Sequence, residues 1–295
     1  MHFKKNNKSK LTFIDLFAGI GGFHIGMTNH YFECVFASEK DPHARKTYST
    51  NFKNPGNDSL SFEINEDITQ IEPNNIPDFD VLCGGFPCQP FSQAGKKLGF
   101  NDTRGTLFFN IAEIIRIKQP EAFFLENVRN LYTHDNGRTF DIIKKTLENL
   151  GYSFHHKIIK ASDFNCPQHR ARLYMVGFKN KDIPFKFPES VKLTTTMSDI
   201  FGASCSRKIG FTLRVGGKGS PINDRRNWDG YIVDGKEVRL NPILAKKMQG
   251  FPDSFNFPVS NTQAMKQIGN SVAIPVIEAI AQEIKKSILF SKTTT

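Results

Sequence analysis

Leu11-Thr12-Phe13-Ile14-Asp15-Leu16-Phe17-Ala18-Gly19-Ile20-Gly21-Gly22 decides the fold. The apolar run from Leu11 to Phe17 stops at glycines, and an apolar segment resumes at once. That pattern predicts a strand, a tight turn and a helix. Glycine lets the backbone turn sharply and lets a ligand approach it closely. A dinucleotide fingerprint requires glycine at 19, 21 and 24, but position 24 is His24, so that pattern fails at its third glycine. A purely structural glycine turn remains the alternative.

Reading outward, Cys34 to Ser38 predicts a second strand, followed by Asp41 as an N-cap and Pro42 at the first helical position. Phe79 to Cys83 and Ala122 to Leu125 are further apolar runs, with a helical pattern from Leu107 to Ile117 between them. Leu173 to Gly177 reads as β. Strands alternating with helices predict an α/β fold with a mainly parallel sheet. From Lys179 to Val238 the chain is rich in Gly, Pro, Ser, Thr, Asp and Arg and has few periodic segments. A separate small domain is expected there. Helical periodicity returns from Ala264 to Leu289, broken near Gly269 and Pro275.

The 295 residues suffice for one large domain and a smaller one, since domains usually run about 100–200 residues. A formal net charge of +10 favours a polyanionic partner, although basic proteins without one are common. The five cysteines include no pair at the two-residue spacing of a zinc ribbon or redox motif, so no metal is expected and a reduced, cytoplasmic protein is. Met1 to Lys10 is polar and lysine-rich, so no signal peptide is expected, and no apolar stretch suits a membrane span.

The chemistry gathers where strands end. Glu39 closes the second strand, about twenty residues past the glycine turn, where a carboxylate can accept the hydroxyls of a ribose. Asp67, followed by Ile68, is a candidate partner for an adenine amino group. Gly84-Gly85-Phe86-Pro87-Cys88-Gln89-Pro90-Phe91-Ser92 starts where the third strand ends. Its prolines and glycines forbid a helix, which puts Cys88 on a loop, placed like a nucleophile; most lone cysteines are instead buried small hydrophobes. Gly95 to Arg104, with Lys96, Lys97 and Arg104, has the composition of a basic lid. Glu126 ends the fourth strand, where partial desolvation would keep a carboxyl protonated and able to donate to a ring nitrogen. Alternation puts Gln168, Arg170 and Arg172 on one face. Such a set suits phosphate and base-edge contacts, and a solvated strand face carries the same spacing.

Asp15 to Gly22, Pro87-Cys88-Gln89, Arg104-Gly105-Thr106-Leu107, Glu126-Asn127-Val128, Gln168-x-Arg170-x-Arg172 and Gln267-Ile268-Gly269-Asn270-Ser271-Val272 together resemble the bacterial C5-cytosine-specific DNA methyltransferases of restriction-modification systems. Each motif alone is weak; the combination in this order is highly specific. It covers the chain except for about residues 179–238. The resemblance implies a Rossmann-like S-adenosylmethionine-dependent sheet over residues 1–184, completed by 258–295. It also implies a smaller, loop- and β-rich target-recognition domain over 185–257.

It further implies that cytosine leaves the duplex for the pocket. The Cys88 thiolate attacks carbon 6, Glu126 holds or protonates N3, and carbon 5 takes the methyl group before its proton is lost and Cys88 is expelled. Arg172 stabilises the base, supported by Arg170 and Gln168. Phe17, Ala18, Gly19, Ile20, Gly21 and Gly22 contact S-adenosylmethionine, with Glu39 on its ribose and Asp67 and Ile68 on its adenine. Pro87, Leu107, Asn270, Ser271 and Val272 complete that site. Many members carry Trp after the ribose-binding Glu; here Lys40 stands there, and its aliphatic stem would cover the ring.

Contacts to double-stranded DNA are expected from Gln89, Ser92, Lys96, Lys97, Arg104 and Gln168, and from Arg214, Lys218, Arg225 and Arg226 in glycine- and turn-rich stretches. Arginine pairs with guanine in the major groove, though some of these charges would touch only phosphates. Trp228, the only Trp, reads as a packing anchor. A monomer paired with a restriction endonuclease is expected. A tRNA methyltransferase of the same fold and a catalytically silent nucleic-acid-binding subunit are the alternatives.

Overall fold

The computed structural model describes residues 10–52, 63–87, 107–215 and 219–294. Its main sheet has six strands in the order β2-β1-β3-β4-β6-β5. They are β1 (Leu11–Leu16), β2 (Phe32–Ser38), β3 (Val81–Gly85), β4 (Ala122–Val128), β5 (His155–Lys160) and β6 (Ala171–Phe178). Neighbours among β1 to β4 run parallel, whereas β6 is antiparallel to both β4 and β5. The chain order therefore reverses direction across the sheet at β1, with β2 on one side and β3 on the other. Ligands of open α/β sheets bind outside the carboxyl ends of the strands at such a point. Because β6 runs the opposite way, its first residues lie at that same edge, with Arg172 opposite Val128.

Alternation within the strands separates two cores. Phe13, Val81, Phe124, Tyr174 and Val176 face one layer, which α1 (Gly22–Thr28) and α8 (Ile274–Thr294) cover with Phe23, Met27, Ile277, Ile280 and Ile284. Ile14, Leu82, Phe123, Leu125 and Met175 face the other, covered by α3 (Leu107–Lys118) and α4 (Arg138–Asn149). Each sheet face is thus buried, as a parallel sheet requires. The other α-helices among the described residues are α2 (Pro42–Phe52), α5 (Met197–Phe201), α6 (Pro242–Gln249) and α7 (Asn261–Asn270).

Residues 185–257 contain a two-stranded antiparallel hairpin, β7 (Gly230–Val233) and β8 (Lys236–Arg239), besides α5 and α6. This stretch does not bury its apolar side chains apart from the rest. Trp228, Tyr231, Met248 and Phe251 join one cluster with Ile20, Tyr48 and Phe52. Trp228 is 2% exposed, a packing anchor. No helix among the described residues is long and apolar enough to cross a membrane.

Candidate active site

The glycine turn follows β1 directly. Phe17 and Gly19 both adopt positive φ, 57° and 56°, and Gly21 adopts 86°. The three glycines are glycine for different reasons. A Cβ on Gly19 would meet nothing nearer than the Phe17 carbonyl at 4.0 Å, so its bare backbone borders open space. A Cβ on Gly21 would strike Phe52 at 2.2 Å, and one on Gly22 would strike Val272 at 2.6 Å. The turn is thus packed tightly from behind and open in front. Asp15, beneath it, is fully buried with neither oxygen in a hydrogen bond among the described residues, and burial first, then the Glu39 charge, push its pKa well up.

Glu39 follows the last residue of β2. Its two oxygens accept the backbone N–H groups of Gly19 and Asp41, each at 2.8 Å. The carboxylate is thereby fixed against the turn while keeping lone pairs for hydroxyl donors. Gly19, Glu39, Phe17, Ile20, Lys40, Pro87, Leu107, Asn270 and Ser271 line one cleft of about 450 Å³, a volume in the range of small-molecule sites. Glu126, Arg170 and Arg172 line the same cleft. Residues far apart in the chain are brought together here by the carboxyl edge of the sheet.

Glu126 and Arg172 sit on neighbouring strands. Arg172 Nε lies 3.0 Å from Glu126 Oε1, with side chains 14% and 10% exposed. The contact is an ion pair without hydrogen-bond alignment at that oxygen, which leaves the carboxyl capacity for another partner. Burial raises the Glu126 pKa, and the charges of Arg172 and Arg170 oppose the rise. A carboxyl so placed can hold or release a proton toward a ligand in the cleft.

Gln168 and Arg170 require correction. Gln168 was expected to touch DNA, but it is fully buried. Its amide donates to the Met248 carbonyl at 3.0 Å and to the Gln249 side chain, and its oxygen accepts the Leu213 N–H at 3.4 Å. Arg170 borders the cleft, yet its guanidinium donates to the carbonyls of Leu213 and Gly269, both at 3.1 Å, and of Ser271. Burial lowers its pKa to about 9, and the like charge of Arg172 adds to the shift. Arg170 thus braces three backbone carbonyls at the border of the cleft. Both residues precede β6, outside the strand whose alternation was expected to expose them.

Elsewhere the placement is mixed. Ala18 and Val272 are buried behind the cleft wall, and Ile68 packs in the core beside Phe36. Asp67 is not on the wall: one oxygen meets Lys40 Nζ at 2.7 Å and the other accepts Thr69 N at 3.0 Å and Oγ1 at 2.8 Å. Those partners, Lys40 first, hold its pKa down to about 2. Among the expected base readers, Arg214 donates to the Arg226 carbonyl at 2.6 Å, and Arg226 grips Asp224 through two hydrogen bonds. Arg225 is exposed and makes no hydrogen bond or ion pair among the described residues. Cys88, Gln89, Ser92, Lys96, Lys97, Arg104 and Lys218 lie outside the described residues.

Several polar residues of the cleft were not among the expected site residues, Lys266, Gln267 and Asn127 among them. Lys266 reaches Asp41 at 3.3 Å, and Gln267 accepts from Thr47 Oγ1 at 2.9 Å. Asn127 lies 2% exposed beside Glu126. Gln267 and Asn127 stand within quoted motifs, which was the available signal; Lys266 offered none. Among the described residues no cluster of His, Cys, Asp or Glu could hold a metal ion.

The sheet, the glycine turn and the cleft define an α/β methyltransferase fold. A putative DNA modification methyltransferase encoded within an E. coli prophage superposes with a TM-score of 0.73 at 22% identity, covering 95% of this chain and all of that one. The family model of the C-5 cytosine-specific DNA methylases matches residues 11–214 and 211–286, and this chain belongs to that family. It is 43% identical to the Type II methyltransferase M1.ScrFI of Lactococcus lactis subsp. cremoris, over 98% of this chain and 82% of the relative. It is 38% identical to the Type II methyltransferase M.HhaI of Haemophilus parahaemolyticus, over 97% of this chain and 98% of the relative.

Proposed function

We propose that this DNA cytosine-5 methyltransferase uses S-adenosylmethionine as its donor and acts on a cytosine flipped out of a short duplex DNA site through a covalent adduct with Cys88. The observation that carries the reading is the buried Glu126–Arg172 pair at 3.0 Å in the cleft that also holds the glycine turn and Glu39. The residues present fit the donor. Gly19 offers open backbone, and Glu39 is held by two N–H groups with lone pairs to spare for ribose hydroxyls. Phe17, Ile20, Leu107, Asn270 and Ser271 wall the rest. Bound there, the donor supplies an electrophilic methyl group.

Cys88 adds to carbon 6 of the ring, and Glu126, whose pKa burial raises, hydrogen-bonds or protonates N3 so that the ring accepts the electron pair. Arg172 holds Glu126 and the base edge together. After methylation at carbon 5, loss of the carbon-5 proton restores the ring double bond and releases the thiolate. Three of the four described thiols suit this role poorly: Cys34, Cys83 and Cys166 are buried, and desolvation pushes the pKa of each up.

Residues 185–257 are assigned to target recognition, with Arg225 as the first candidate reader and Arg214 and Arg226 beside it. The name Type II methyltransferase among the relatives supports a protective role paired with a restriction endonuclease. The test is incubation of duplex DNA and of tRNA with methyl-labelled S-adenosylmethionine, followed by nucleoside mass spectrometry. The expected product is 5-methyldeoxycytidine in duplex DNA. Label in tRNA instead would assign the substrate to RNA.

A further inference from the structure

The parallel ladder between β3 and β4 ends at the pair Gly85↔Glu126. The next residue on β3 is Phe86, and after it comes Pro87. Proline has no N–H to continue a ladder, and its ring confines the preceding residue to extended backbone. The strand must therefore leave the sheet here, with the Phe86 carbonyl still inside: Phe86 is buried. An unpaired buried carbonyl is costly.

The next residue on β4 is Asn127, and its side chain fills the gap. Nδ2 donates to the Phe86 carbonyl at 2.7 Å, while Oδ1 accepts the backbone N–H of Val128 at 2.8 Å. Both ends of the amide are used, so neither a carboxylate nor an aliphatic side chain can replace it. Asn127 follows the cleft carboxyl Glu126 in the chain. Phe86 precedes Cys88 by two residues. One buried amide thus ties the strand that carries the acid to the strand that leads to the nucleophile, at the point where the two part.

We infer that Asn127 is a positioning residue that sets the spacing between Glu126 and the chain leading to Cys88, acting through the Phe86 carbonyl. The inference rests on the proposal that Cys88 is the nucleophile. It separates Asn127 from a residue that only stabilises the fold, because its side-chain hydrogen bonds go to Phe86 and Val128 and none goes to Gly19, Glu39 or Ser271 of the cofactor wall.

The test uses Asn127→Ser and Asn127→Ala in the full chain, so that misfolding of one leaves the other. Thermal unfolding, calorimetric affinity for S-adenosylhomocysteine, and the rate of covalent trapping are measured. The trap is a pool of randomised duplexes carrying 5-fluorocytosine, whose fluorine cannot leave as a proton does. Trapping and kcat are expected to fall about 10²-fold, as for a misplacement on the order of 1 Å, while cofactor affinity and KM for the donor hold. Folded variants that trap at the wild-type rate would overturn the inference. So would trapping and cofactor affinity falling together with the unfolding temperature, the mark of a merely structural amide. Absence of trapping by the wild type would count against Cys88 itself, a separate result.

Discussion

Arginine has opposite fates in two regions of this molecule. At the start of β6, Arg170 is 3% exposed and binds the carbonyls of Leu213, Gly269 and Ser271. In the stretch from 214 to 228, the guanidiniums of Arg214, Arg225 and Arg226 stand at exposed positions. The first region clamps three backbones: β6, the returning recognition segment and the end of α7. The second is exposed, with Arg214 on the Arg226 carbonyl, the Arg226 guanidinium on Asp224, and Arg225 tied to nothing among the described residues. A buried guanidinium whose donors meet backbone carbonyls fixes geometry. An exposed one retains donors for a polyanion. Spacing in sequence does not tell the two apart, whereas burial and partners do.

Cys88→Ser is expected to leave no detectable methyl transfer in a duplex-DNA assay, because a hydroxyl lacks an accessible anion near neutral pH. Calorimetry should still show cofactor binding. Glu126→Gln should lower kcat by about 10²–10⁴-fold, the usual weight of a general acid. Burial raises the Glu126 pKa, so its protonated form persists to higher pH than an ordinary carboxyl, and wild-type activity should decline as pH rises through that pKa. The glutamine cannot ionise, so its pH profile should lack that limb; an unchanged limb would remove Glu126 from the acid role.

The two arginine classes should then part in stability and selectivity. Arg170→Ala leaves buried carbonyls without partners and should cost about 3–5 kcal/mol in denaturant unfolding. Arg225→Ala should change stability by no more than about 0.5 kcal/mol. On a library of single-base site variants, Arg225→Ala should relax choice at one base pair by about 1–3 kcal/mol if it reads guanine. A uniform loss with a shallower salt dependence would make it a phosphate contact. If Arg170→Ala proved as stable as Arg225→Ala, the distinction drawn here would collapse. Lys40→Ala should have the smallest effect, within about 1 kcal/mol in cofactor affinity, since its exposed pairing with Asp67 is weak and screened by salt.

Much of this architecture was legible in the sequence, and the failures have physical causes. Strands β1, β2, β4 and β6 announced themselves as apolar runs because both faces of the sheet are buried. Strand β3 was expected at Phe79–Cys83 but runs Val81–Gly85, since Gly84 and Gly85 carry no apolar signal although each pairs in the ladder. The edge strand β5, His-His-Lys-Ile-Ile-Lys, is mostly exposed and shows no run to find. The place of Glu39 and Glu126 on the cleft was legible because each stands at the end of a strand that reads as an apolar run. The braces were not. Gln168 and Arg170 precede β6, and whether they meet solvent or carbonyls depends on residues 210–213 and 248–271, which only the fold brings near. Asn127 is set by the partner strand, and Asp67 by Lys40, for the same reason.

The account rests on one bond, between Cys88 and carbon 6 of the target cytosine. Mass-spectrometric peptide mapping of the adduct formed with S-adenosylmethionine and a 5-fluorocytosine duplex measures it directly. The account predicts a single modified peptide, with the nucleobase on Cys88. An adduct on Cys34, Cys83, Cys166 or Cys205, or methyl transfer to cytosine with no adduct at all, would contradict it.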